Sequence, residues 1–363
     1  MKLVIDIRLI NVSGIGTYLK NVIPGILSSF DFDQIVVLGN TQEIVCFDWS
    51  KDVEIIEFNA KIYSIKEQLL YPIIIPRCDV FWCPHFNLPI FSIKAKKTVV
   101  TIHDVNHLTA IAPISFLKKK YAHLLFQNAV SKADLVFTVS EFSKRELMKY
   151  TTINAEKIEV VYCGVNKSFF DETNQSSSRT LPIDYILYVG NIKPHKNLIV
   201  LLQAYSILSA EYKSKYQLVI IGKKEGFITE DKEIFEYIIS NNLESHITFT
   251  GYVDDSDLPA IYQNAALFVF PSLYEGFGLP ILEAIASKTL VISSNAASLP
   301  EIGGEAVLYF DPKNHFELAE KITNAIENTT NRLFLLKQGD IQLAKFTWQK
   351  SIENHLNGFK KLA

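Results

Sequence analysis

The 363-residue chain has no surplus of positive charge: 36 Lys and Arg stand against 39 Asp and Glu, a net charge of -3. A protein built to hold a nucleic-acid duplex carries a basic excess, so nucleic acid is not expected as a partner. Cysteine is scarce. Cys46, Cys78, Cys83 and Cys163 are scattered, with no CxxC pair and no His/Cys group at zinc spacing. That pattern points to free or buried thiols in a reducing compartment, not to a disulfide scaffold or a zinc site. Long apolar runs are missing: "LLYPIIIP" at 69–76 is broken by Pro72 and is far shorter than a membrane span. The opening "MKLVIDIRLI" is too short and too charged for a secretion signal, and no small-residue cleavage site follows. A cytoplasmic protein is therefore expected, and a two-lobed solute-binding protein, which would be exported, is disfavoured. A dinucleotide fingerprint is also lacking. "SGIGTY" has no third glycine at the needed spacing and "VVLGN" no acid at the end of the second strand, which sets aside a nicotinamide-dependent oxidoreductase.

What is present is an ordinary globular composition, 48% hydrophobic and 21% charged, in a chain longer than one core usually serves. Short β-branched runs alternate with helical patterns at 2–7, 34–38, 53–58, 79–83, 97–102, 134–139 and 158–162, and again at 185–190, 217–222, 246–251, 267–272, 289–294 and 306–310. Runs this uniformly apolar belong to a parallel sheet covered by helices on both faces. A polar stretch, "DETNQSSSRTLP" at 171–182, reads as a linker. The expectation is two doubly wound α/β domains, 1–170 and 171–344, facing each other across a cleft. The amphipathic tail 345–363 can close back over either domain, with the first preferred. Ligands of such sheets sit beyond the carboxyl ends of the strands. There lie "NVSGIGTY", "HD" (His103, Asp104), "GNIKPHKN" and the peptide "PSLYEGFGLPILEA" at 271–284.

That peptide carries the most chemistry. Pro280 suits the first turn of a helix, so the amides from Gly276 to Ile281 form a helix N-terminus, a natural anion site. Glu275 in the loop and Glu283 one turn into the helix can point to one mouth. Carboxylates accept hydrogen bonds from sugar or ribose hydroxyls while amides take phosphates. The plainer reading, two glutamates favouring the positive end of a helix dipole, explains each residue but not the spacing with two glycines.

The same peptide resembles the E-x7-E signature of retaining glycosyltransferases of family 4, which have the GT-B fold of two facing Rossmann-like domains. The resemblance extends over nearly the whole chain through "VSGIGTY", "TIHD", "TVSEFSK" (138–144), "VVYCGVN" (160–166), "YVGNIKPHKNL" (188–198), "FTGYV" (249–253) and "SLPEIGGEA" (298–306). It implies transfer of a sugar from a nucleotide-sugar donor to an acceptor hydroxyl, with retention at the anomeric carbon, no cofactor and no bound metal. It further implies that His103, Glu275 and Lys196 are the catalytic candidates: His103 beside the donor sugar, Glu275 on sugar hydroxyls, Lys196 on the diphosphate. Gly16 would approach the phosphates, and the amides of Gly276, Phe277, Gly278 and Leu279 would lie against sugar and diphosphate. Glu283 would take the ribose, and Tyr252 and Val253 the base. One departure matters. The family often has arginine where this chain has Asn191, so the diphosphate loses a cation; Lys193 could replace it, or Asn191 could donate one neutral hydrogen bond. The wording of the motifs is most similar to bacterial mannosyl- and rhamnosyltransferases of surface polysaccharide assembly. The donor expected first is GDP-mannose, with a UDP- or dTDP-sugar as alternative and a nucleotide-sugar epimerase of the same architecture as a second. The acceptor expected is a saccharide or a lipid-linked saccharide.

Other signals are discounted. Asp255-x-Asp257 mimics a metal-binding pair, but it opens a helix, where acidic residues act as caps. His85 in "CPHFNLP" is left even between a cleft and a structural place. The lysines of "FLKKKYAHLLF" at 116–126 read first as a solvated helix face. The alternative is peripheral contact with the inner membrane, where a lipid-linked acceptor would be.

Overall fold

The computed structural model describes residues 1–29, 32–112, 114–171, 181–222 and 232–362, so most of the linker expected at 171–182 lies outside the described residues. The chain divides into two α/β units, Met1–Gly164 with Thr347–Ala363, and Val165–Phe346. The first holds β1 (Lys2–Asp6), β2 (Gln34–Gly39), β3 (Glu54–Glu57), β4 (Cys78–Cys83), β5 (Ala95–Ile102), β6 (Leu135–Thr138) and β7 (Ile158–Val160). They form one parallel sheet in the order β3-β2-β1-β4-β5-β6-β7. The second holds β8 (Tyr185–Val189), β9 (Gln217–Ile221), β10 (Ile247–Gly251), β11 (Leu267–Phe270), β12 (Val291–Ser294) and β13 (Leu308–Phe310). Their order is β10-β9-β8-β11-β12-β13, again parallel. Each run expected to be a strand carries one.

Both faces of each sheet are covered, which is why the strands do not alternate apolar with polar. In the first unit, Val4, Val36, Phe81, Val100 and Val136 join one core with Tyr71, Phe126 and Ala129. On the opposite face, Leu3, Ile5 and Val37 are equally enclosed, and Trp82 and Phe137 meet Phe359 of the last helix, Trp348–Lys360. In the second unit, Ile186, Ile220, Val269 and Ile292 pack with Leu201, Leu202, Leu318 and Ile322.

Strand order reverses direction between β1 and β4 in one unit and between β8 and β11 in the other. Neighbouring connections run to opposite faces there, which opens a crevice at the carboxyl ends. In the second unit that crevice lies between the turns after β8 and after β11, which contain Lys196 and Glu275.

Candidate active site

After β8 the chain runs through a tight turn, Pro194–Lys196, that ends at Asn197 in left-handed backbone, φ 55. The Asn197 amide donates to the carbonyls of Pro271 at 3.1 Å and Pro312 at 2.8 Å. The Leu273 N–H donates to the His195 carbonyl at 2.7 Å. These bonds strap the two turns together and bring Lys196 Nζ to 2.6 Å from Glu275 Oε1, with 19% and 15% of the side chains exposed. The ammonium also lies 5.5 Å from the centre of the Phe270 ring. Lys193, three residues earlier, is exposed, and Asn191 is half-buried.

The Ser298 hydroxyl, fully buried, lies 2.9 Å from the Glu275 carbonyl and 2.6 Å from that of Phe277, and so holds the loop from behind. Gly278 then takes φ 122, open to glycine and strained for other residues, and caps the helix Leu279–Ala286, with Pro280 in its first turn. The Ile281 N–H turns back to the Gly278 carbonyl at 3.0 Å and Pro280 has none, so the anion site narrows from the expected span to the amides up to Leu279. Glu283 stands one turn in. The Tyr262 hydroxyl donates to its Oε2 at 3.1 Å. Desolvation by the surrounding protein raises the Glu283 carboxyl to about 7, the Tyr262 bond opposing and Asp255 adding to the rise. The two glutamates therefore differ: Glu275 faces a cation, Glu283 a hydroxyl in a dry setting.

Tyr252 is exposed and Val253 buried at the turn after β10. Asp257 occupies the N-cap position of the helix Leu258–Asn264, but its backbone is helical (φ -86, ψ -22) and its side chain makes no capping hydrogen bond. The capping expected from residue type fails because a capping side chain needs extended backbone to fold back on the first amides. Among the described residues, no group of three or more His, Cys, Asp or Glu is placed to hold a metal ion.

In the first unit, the helix Ser13–Ser29 follows β1. Gly16 is buried, its N–H donates to the Val12 carbonyl at 2.9 Å, and a Cβ there would fall 2.5 Å from the Ile10 carbonyl oxygen. Its glycine is needed for close packing, and the front amides of this helix are those of Ser13, Gly14 and Ile15. His103 follows β5. Its Nε2 is 3.1 Å from the Pro84 carbonyl, which only accepts, so Nε2 carries the hydrogen. Burial pulls the imidazole down to about 4, so it is neutral near pH 7. His85, on β4's side of the strand-order reversal, lines a small cavity with Asp6, Arg8 and Asn87. Its Nε2 is 2.9 Å from the Tyr63 hydroxyl, and burial lowers it to about 3.

Of the residues expected at the site, Lys196, Glu275 to Leu279 and Glu283 gather around one loop of the second unit, while Gly16 and His103 belong to the first. Sequence reasoning missed Asn197, Ser298 and Tyr262, which hold that loop. The "SLP" of the Ser298 motif was the one available signal, and it suggested no role.

Residues 170–339 match the family model described as Glycosyl transferases group 1, and residues 56–169 that of Glycosyltransferase Family 4. O-antigen chain mannosyltransferase B of Escherichia coli is 31% identical over 292 residues, 78% of this chain and 74% of that protein. Serotype-specific mannosyltransferase WbdA of Escherichia coli is 31% identical over 277 residues, which are 73% of this chain and only 34% of that longer protein. Among solved structures, sucrose-phosphate synthase from Thermosynechococcus elongatus has the same fold, with a TM-score of 0.82 at 17% identity over 100% of this chain and 99% of that one.

Proposed function

The chain belongs to glycosyltransferase family 4, with a group 1 domain over residues 170–339, and on that premise we propose that it moves mannose from GDP-mannose to a saccharide or lipid-linked acceptor in the assembly of a bacterial surface polysaccharide. The relatives that carry mannosyltransferase names support the sugar. The observation that carries the reading is the Lys196–Glu275 pair at the strand-order reversal of the second unit, beside the helix front after Gly278.

Each group then has a task. Glu283 accepts hydrogen bonds from the ribose, Glu275 from hydroxyls of the sugar, and Lys196 turns its charge to the diphosphate with the amides ahead of Leu279. The bond from the anomeric carbon to the diphosphate breaks with oxocarbenium character on the sugar. The acceptor oxygen bonds to the same face, and its proton passes to a diphosphate oxygen. Lys196 and the helix front stabilise the charge that develops on the leaving group, and His103, neutral, borders the sugar. This scheme needs no cofactor and no metal.

Peripheral contact with the inner membrane belongs to the same reading. No helix of the described residues is long and apolar enough to cross a membrane. On the helix Phe116–Lys132, however, Phe116 and Leu117 are 70% and 77% exposed. Lys118 and Lys120 are exposed beside them, with the Lys120 ammonium 4.7 Å from the centre of the Phe116 ring. Apolar side chains among lysines suit an anionic lipid surface better than water.

The test is incubation with GDP-mannose, UDP-glucose and dTDP-rhamnose, with and without polysaccharide-repeat acceptors. GDP release that depends on an acceptor, with mannose in the product, is the expected result. Release from another donor alone replaces the sugar. A changed nucleotide sugar without acceptor replaces transfer by epimerisation.

A further inference from the structure

The last helix returns to the first unit and packs on the helix Ser13–Ser29. At its inner face is His355, fully buried, among the rings of Phe137 at 4.6 Å, Tyr18 at 5.5 Å and Trp82 at 5.6 Å between centres. An imidazole in such a place is costly unless both nitrogens are satisfied, and here both are. Nδ1 is 2.6 Å from the Ser351 carbonyl and carries the hydrogen. Nε2 then accepts, and the Tyr18 hydroxyl donates to it. Thr101 Oγ1, 3.3 Å from the Tyr18 oxygen, supplies that oxygen with a hydrogen and itself receives the Trp82 indole N–H at 3.0 Å. Every hydrogen in the chain Trp82, Thr101, Tyr18, His355, Ser351 points one way. A neutral His355 is required for that direction, and burial lowers its pKa to about 4, with His103 adding to the fall.

The Tyr18 ring held by this chain meets the His103 ring edge-on, 5.0 Å between centres at 88°. Tyr18 is also two residues past Gly16 on the helix that follows β1. Phenylalanine at position 18 and leucine at position 355 would fill the same space without burying a phenol hydroxyl and an imidazole. What the polar pair adds is a single ring orientation.

We propose that His355 and Tyr18 are positioning residues for sugar transfer: the imidazole–hydroxyl bond between the last and first helices fixes the Tyr18 ring, and through it the His103 ring. The inference rests on the reading of His103 as the group beside the donor sugar. The test joins imidazole nitrogen NMR of the full-length protein, labelled at its 8 histidines, with donor kinetics for Tyr18→Phe, His355→Leu and His355→Gln. Tyr18→Phe removes only the hydroxyl, so it keeps the test open should His355→Leu not fold. In the wild type, His103 is expected as one neutral tautomer with Nε2 protonated. In Tyr18→Phe and His355→Leu that signature mixes or shifts, and kcat falls by about 10- to 100-fold, the scale of a misplaced reacting group. His355→Gln, which still offers an acceptor to Tyr18, recovers most of both. An unchanged His103 signature in Tyr18→Phe overturns the proposal, as does a changed signature with undiminished kcat. His103→Ala at wild-type turnover would sink the site reading instead, a result independent of the spectrum.

Discussion

"SGIG" at 13–16 and "EGFG" at 275–278 each place two glycines two residues apart where a strand gives way to a helix. The helix of the first unit starts at Ser13, ahead of its glycines; that of the second starts at Leu279, after them. Gly16 therefore sits inside a helix, enclosed, with its N–H already used and the Ile10 carbonyl where a side chain would be. Gly278 sits outside, at φ 122, and turns the loop so that the helix front and the Lys196–Glu275 pair lie side by side. The same pattern serves close packing in one unit and a backbone turn in the other. A glycine motif thus reports that the backbone needs something, and only its place relative to the helix start says what.

The comparison breaks most visibly on the charge beside the second loop. Lys196→Ala is expected to lower kcat by about 100- to 1,000-fold, the usual loss of one preorganised electrostatic partner. Glu275→Ala is expected to abolish transfer with an unaltered circular-dichroism melt, since its side chain lies in a loop. Lys193→Ala, exposed and outside the ion pair, should change turnover by only a few-fold. A larger loss from Lys193 than from Lys196 would mean that the cation acting on the diphosphate is the earlier one.

The Glu283 carboxyl, raised to about 7 by burial, sharpens the contrast with Glu275. Its protonated form is favoured by folding, so its contribution to stability is full below the ordinary carboxyl range and is lost as pH rises towards 7. Donor binding runs the other way, because ribose hydroxyls donate to the ionised form. GDP affinity measured by titration calorimetry should rise with pH up to about 7, by at most about tenfold per unit, and Glu283→Gln should flatten the profile. A flat profile in the wild type would remove the ribose role.

The glycines themselves give a smaller effect. Gly16→Ala forces a Cβ to 2.5 Å from backbone oxygen and should cost about 1–3 kcal/mol in urea unfolding. Gly278→Ala should cost about 1–3 kcal/mol through strain and also weaken donor binding, which Gly16→Ala should not do independently of its fold. Gly14→Ala, whose Cβ would meet nothing within 4 Å, should stay within about 0.5 kcal/mol. Wild-type stability in Gly16→Ala would refute the packing account. Smallest of all is the expected effect of EDTA on turnover, which is none; loss restored by magnesium or manganese would return Asp255 and Asp257 to the site.

Much of the second unit's loop was legible because its signals are local. Pro280 marks a helix start, and the glycines mark a loop, whatever the rest of the chain does. The groups that hold the loop were not legible. Ser298, Asn197 and Tyr262 look like any serine, asparagine or tyrosine until the chain brings back carbonyls and carboxylates from 21 to 115 residues away. Asp257 has the residue type of a cap, but its backbone arrives in helical geometry and its side chain makes no capping hydrogen bond.

Apolar runs without alternation, spaced by helical patterns, determined by themselves that both sheets would be parallel and covered, because a strand buried on two faces needs no polar side. They also mark the carboxyl ends of the strands, where ligands of such sheets are expected. Only the tertiary structure decided which of Lys193 and Lys196 meets Glu275: the tight turn Pro194–Lys196 brings Lys196 to the carboxylate and leaves Lys193 exposed. It alone made Gly16 a packing residue, and it alone set His355 against Tyr18. Gly16 depends on where its helix starts relative to Ile10, six residues before it, whereas the Lys196–Glu275 and Tyr18–His355 pairs join segments distant in the chain, and no local propensity encodes the partner that a buried polar group will meet.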